Sequence, residues 1–146
     1  MITSTGAGAG ETRRVVVHVD GGACGNPGPA AAAAVVSTPA GEVLDEASVV
    51  LGRATNNVAE YRGLLLGIAR ARALGATEVE LVNDSKLVAN QVNGRYKVKH
   101  KDMKPLHAEA TEALRDFARW SLRAVPRAQN ADADRLVNEA LDAAGH

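Results

Sequence analysis

Four carboxylates in this sequence fall where an ordered element would end or begin: Asp20, Glu60, Asp84 and Asp134. Taken singly, each has an ordinary structural explanation. Asp20-Gly21 could be a plain turn, Asn57-Val58-Ala59-Glu60 a capping box with Glu60 at the third helical position, Asp84 an N-cap, and Asp134 a favourable charge at the positive end of a helix. Taken together they suggest chemistry. Sites in α/β proteins collect at the carboxyl ends of strands, where Asp20 and Asp84 are expected, and two helix starts could aim Glu60 and Asp134 at the same edge. Converging carboxylates must shift their pKa values or hold cations. An all-oxygen set suits a hard ion such as Mg²⁺ or Mn²⁺. Two such ions about 4 Å apart can clamp the attacking and leaving oxygens of an in-line phosphoryl displacement. On this pattern alone Asp132 and Asp134 are equal candidates for the fourth position.

The elements that must position these acids can be read from hydrophobic period and punctuation. Val15–Asp20 is a β-branched run closed by Gly21-Gly22, expected as a strand buried on both faces. Ala30–Ser37 and Glu42–Leu51 read as two further strands of an antiparallel meander, although the alanines of the first could also start a helix. The period then changes. Val58, Tyr61, Leu64, Leu65 and Ile68 give helical spacing over Asn57–Leu74, with Gly75 as the stop. Glu78–Asn83 reads as a strand, Asp84–Asn93 and Pro105–Arg119 as helices, Ser121–Val125 as a strand and Ala131–Ala144 as the last helix. The order β-β-β-α-β-α-α-β-α predicts an α/β fold: a five-stranded mixed sheet flanked by helices.

Composition bounds the setting. The 146 residues carry 17 Lys+Arg against 17 Asp+Glu, so a polyanion would have to be held by local patches or metal, not by net charge. One cysteine, Cys24, excludes an intrachain disulfide and a thiolate zinc cage. With no signal-peptide pattern and no apolar run long enough for a bilayer, the expectation is a cytoplasmic monomer that does not enter membranes. Residues 1–12 read as a flexible tail and 13–146 as one domain.

Four motifs, in order and spacing, resemble type 1 ribonuclease H: Asp20-Gly21-Gly22 followed by Gly25-Asn26-Pro27-Gly28-Pro29; Thr55-Asn56-Asn57-x-Ala59-Glu60; Asp84-Ser85-x-Leu87-Val88; and Asn130-x-x-Ala133-Asp134-x-Leu136-Val137-Asn138. The resemblance covers Val15 to Ala144. It implies the ribonuclease H-like fold and cleavage of the RNA strand of an RNA–DNA hybrid with two divalent cations, Mg²⁺ or Mn²⁺, leaving 3′-hydroxyl and 5′-phosphate ends. By the same resemblance Asp20 bridges both ions, Glu60 and Asp84 complete one site, and Asp134, not Asp132, binds the other ion. Gly21, Asn26, Arg53, Thr55 and Asn56 match positions that meet the substrate. The glycine-rich loop is neither a Walker A loop nor a dinucleotide fingerprint.

The chain departs from the family's larger members in two places. Gly94–Lys104 stands where they carry a basic helix and protrusion, and it retains Arg95, Lys97, Lys99, Lys101 and Lys104 in a short loop: a reduced handle for backbone phosphates. The loop Val125–Asn130 lacks the mobile histidine of those members, and the resemblance to a shorter branch assigns part of that role to Arg127. A hybrid-binding module with a decayed site would be expected to lack a carboxylate. Double-stranded RNA fits the same residues as a side substrate.

Overall fold

The computed structural model describes residues 13–145; the segment 1–12, expected to be a flexible tail, lies outside the described residues. Five strands and four α-helices follow one another as β1 (Arg14–Ala23), β2 (Gly28–Ser37), β3 (Val43–Ala54), α1 (Asn56–Ala73), β4 (Glu78–Asn83), α2 (Lys86–Val92), α3 (Lys104–Leu114), β5 (Arg119–Ala124) and α4 (Ala131–Ala143), with a 3₁₀ turn at Arg127–Asn130. The sheet order is β3-β2-β1-β4-β5. β1, β2 and β3 form an antiparallel meander, and β4 and β5 join it in parallel.

Alternation along the strands separates two cores. Val15, Val17 and Val19 of β1, with Ala34 and Val36 of β2, meet Tyr61, Leu64 and Ile68 of α1. On the opposite face Ala31 and Ala33 of β2 meet Val137 and Leu141 of α4. The alanine run of β2 is therefore buried on both sides, and its small side chains let two helices approach one strand closely. β1 differs from expectation: Val16 and His18 are only half-buried, because α4 reaches the far end of β1 and leaves its beginning uncovered.

Several boundaries also differ, among them the end of β3, which runs on to Ala54. β1 continues past Asp20 to Ala23, because β2 goes on pairing with it. α3 stops at Leu114, not Arg119: the Ala118 amide donates to the Thr77 carbonyl at 2.9 Å, and Arg119 already pairs with Glu78 of β4. Tertiary pairing overrides a sequence whose local preference is helical. No described helix is long and apolar enough to cross a membrane.

Candidate active site

The site grows out of the point where two parallel strands separate. β1 pairs with β4 from Arg14–Glu78 to His18–Val82, and no further. Carrying that register forward sets Asp20 beside Asp84. β1 stays in the sheet through β2, while β4 ends at Asn83 and the chain turns into α2. Asp84 does not cap that helix; Ser85 does, its hydroxyl accepting from the Val88 amide at 3.1 Å. The Asp84 carboxylate is thus available to the site.

Glu60 arrives from α1, which lies against β1 at glycines. A Cβ at Gly21 would collide with the Ala59 carbonyl, and one at Gly63 with the Asp20 carbonyl. This close approach carries Glu60 Oε1 to 3.1 Å from the Gly21 amide, which donates to it. The N-cap of α1 is Thr55, whose hydroxyl accepts from the Val58 amide at 3.2 Å, so Glu60 lies beyond the capping positions and the capping-box alternative does not hold.

Carboxylate oxygens of Asp20, Glu60 and Asp84 lie within 4.8 Å of one another. Asp20 and Glu60 are 5% and 8% exposed. Burial raises both carboxyls well above the ordinary range; the neighbouring charges of Asp84 and Asp134 add to the shift of Asp20, and the adjoining carboxylates of Asp20 and Asp84 add to that of Glu60. Asp134, in the first turn of α4, lies outside this three-residue group, though its charge contributes to the raised carboxyl of Asp20. Glu60 Oε2 is buried with no protein donor. Oxygen ligands alone, an unpaired buried oxygen and mutual repulsion are the properties of a divalent-cation site, and the cluster fits one.

The other residues singled out by sequence surround this centre in different ways. The Asn26 side-chain oxygen accepts from the Asn56 amide at 3.0 Å, and the Asn56 side-chain oxygen accepts from the Ala23 amide at 2.8 Å. The two asparagines brace the glycine-rich loop on the start of α1, and each keeps its side-chain NH₂ as an open donor. Arg53 is exposed at the end of β3 and joins no ion pair among the described residues. Arg127 is 78% exposed and its guanidinium stands 3.6 Å from the Asp84 carboxylate. Sequence reasoning assigned no role to Gly63 or Asn130. Gly63 could have been found only from the helix-strand contact, whereas Asn130 was already visible as a motif residue.

A family model described as reverse transcriptase-like matches residues 18–140. The chain is 52% identical over 132 residues to the bifunctional protein Rv2228c of Mycobacterium tuberculosis, an alignment that takes in 90% of this chain and 36% of that protein. It therefore spans about a third of that relative's length. The solved N-terminal RNase H domain of the same relative, fused to maltose binding protein, superposes with a TM-score of 0.89 at 51% identity, covering 92% of this chain and 97% of that one. LC11-RNase H1 in complex with an RNA/DNA hybrid superposes with a TM-score of 0.86 at 37% identity, covering 90% of this chain and 99% of that one.

Proposed function

The chain belongs to the ribonuclease H1 family, and on that premise we propose that it is an endonuclease hydrolysing the RNA strand of RNA–DNA hybrids to 3′-hydroxyl and 5′-phosphate ends. The observation that carries this reading is the approach of Asp20, Glu60 and Asp84 within 4.8 Å. Asp20, Glu60 and Asp84 would hold one Mg²⁺ or Mn²⁺, and Asp20 with Asp134 a second. Bound there, the two ions supply an activated water and neutralise charge during an in-line displacement at phosphorus.

The chain's own groups provide orientation and recognition. The Gly21 amide fixes Glu60 by its hydrogen bond. The side-chain NH₂ groups of Asn26 and Asn56, left open by these bonds, would supply the donors that read sugar 2′-hydroxyls and so separate RNA from DNA without reading sequence. Arg53 and Thr55 sit at the β3–α1 junction to meet a phosphate of the other strand, although Thr55 also spends its hydroxyl on the helix cap. Arg127, poised on Asp84, is available to a phosphate at the cut. Residues 13–146 act as one domain and as a monomer. Double-stranded RNA is a secondary substrate, and the free, exposed Cys24 suits a cytoplasmic setting.

The test uses a hybrid with each strand labelled in turn, incubated with Mg²⁺ or Mn²⁺ beside an Asp20→Asn control. Cleavage confined to the RNA strand and lost in the control is expected. Binding of the hybrid without cleavage under either ion would make the protein a non-catalytic hybrid-binding module.

A further inference from the structure

We infer that Asn130 is a positioning residue: its side-chain amide locks the start of α4 onto the backbone carbonyl of Val19 and thereby sets Asp134 against Asp20. The inference rests on the reading of these two acids as ligands of one ion. Its physical basis is the separation of β1 from β4. Beyond His18 the β4-side edge of β1 has no strand partner, yet β1 remains a strand to Ala23. Backbone groups on that edge must find partners elsewhere.

Two of them do, on either side of Asp20. The Gly21 amide takes Glu60 Oε1 from α1, and the Val19 carbonyl takes Asn130 Nδ2 at 2.9 Å from the turn before α4. One of these side chains belongs to the carboxylate cluster; the other is a neutral amide with the same placement. Asn130 is 1% exposed, so this bond is made in a region that solvent does not reach and is correspondingly directional. A carbonyl only accepts, which fixes the amide with its nitrogen toward Val19.

Asn130 is the N-cap residue of α4, but its side chain caps nothing in that helix. Its function must therefore lie outside the helix. Asp134 follows one turn later on the same side, and a helix is stiff over one turn. Farther along, α4 is held by apolar contacts of Val137 and Leu141 with alanines, which fix distance from the sheet better than sliding along it, and by a half-exposed Arg135–Glu46 ion pair to β3 at 3.8 Å, which restrains sliding only weakly. The Asn130–Val19 bond supplies that coordinate, because Val19 is the residue before Asp20.

The experiment compares Asn130→Ala, Asn130→Ser and Asn130→Asp with the parent chain. Ser is too short to reach Val19, and Asp keeps the shape but turns an acceptor toward an acceptor. Mn²⁺ and Mg²⁺ affinity is measured by titration calorimetry, and kcat and KM on a hybrid are measured alongside. All three variants are expected to bind metal about 10- to 100-fold more weakly and to lose kcat by a similar factor with KM unchanged. Leu141→Ala, which loosens the same helix by packing alone, is expected to lower Tm without that loss of affinity.

The deciding arm repeats Asn130→Ala in an Asp134→Asn background. If Asn130 acts through Asp134, the second substitution costs little more. Full losses in both backgrounds, or equal metal weakening by Leu141→Ala, would reduce Asn130 to a structural residue and overturn the inference. So would parent-like affinity in the variants while the parent cleaves hybrids. A parent that neither binds metal nor cleaves would remove the reading of the site, and this inference with it.

Discussion

Asp20 and Glu60 are raised acids, and the sign of that shift has a consequence for stability. Between the ordinary carboxylate range and the raised native values, the folded chain holds more protons than the unfolded chain. These two groups therefore make the metal-free protein lose stability as pH rises through that window, and the loss is complete above it. Divalent cations bind the ionised native cluster and reverse the loss. We expect Mg²⁺ or Mn²⁺ to raise Tm more at pH 8 than at pH 5, and Asp20→Asn to stabilise the metal-free chain at pH 8 by about 1 kcal/mol or more while abolishing the metal response. Scanning calorimetry at both pH values checks this, and equal metal-induced gains would contradict it. The acids were legible in the sequence because their types stand out at element ends. The Glu60–Gly21 and Asn130–Val19 bonds were not, because each joins residues far apart in sequence through one backbone group.

At the scale of elements, the distance between α1 and β1 decides whether Glu60 can reach the centre at all. Gly63 and Gly67 let the helix sit on the strand, but they do not have equal weight. A Cβ at Gly63 would strike the Asp20 carbonyl, which is backbone and cannot step aside, whereas one at Gly67 would strike methyl groups of the buried Val17 and Val19, which must repack but carry no backbone of the site with them. Gly63→Ala is expected to cost about 3 kcal/mol, near the upper end for overpacking, and to weaken metal binding, since the helix must lift with Glu60 on it. Gly67→Ala is expected to cost about half as much and to leave metal binding intact. Urea denaturation with and without Mn²⁺ separates the two; a Gly63→Ala chain as stable as the parent would show that α1 can shift freely. The period of α1 was plain in the sequence, and so was the element order. Which glycines face a strand was hidden, as was the helical-looking Arg115–Arg119 being drawn out of α3 by contacts with Thr77 and β4.

For the whole molecule, zero net charge does not mean a neutral surface. Arg14, Arg70, Arg72, Arg115, Arg123 and Arg135 are matched by nearby carboxylates. Arg53, Arg62, Arg95, Lys97, Lys99 and Lys101 join no ion pair among the described residues, and they cluster on grooves flanking the start of α1. The groove that holds Arg95, Lys97 and Lys99 also exposes Tyr96, a flat apolar surface among cations. These six cations give a local positive potential to the side on which the glycine-rich loop and the start of α1 open, while Arg13, just before β1, and Arg119, at the start of β5, also stay without an ion pair among the described residues. A backbone of phosphates laid there releases counterions in proportion to the cations it meets. Lys97→Ala with Lys99→Ala should therefore weaken hybrid binding by a similar factor whatever the base sequence, and lower the slope of log affinity against log salt by about 1 to 2. Because neither side chain reaches the carboxylate cluster, kcat at saturating hybrid should stay at the parent value. Binding isotherms from low to physiological salt, set beside kcat, decide it: an unchanged slope would mean that phosphates do not pass over this loop, and the short Gly94–Lys104 segment would then be no handle at all.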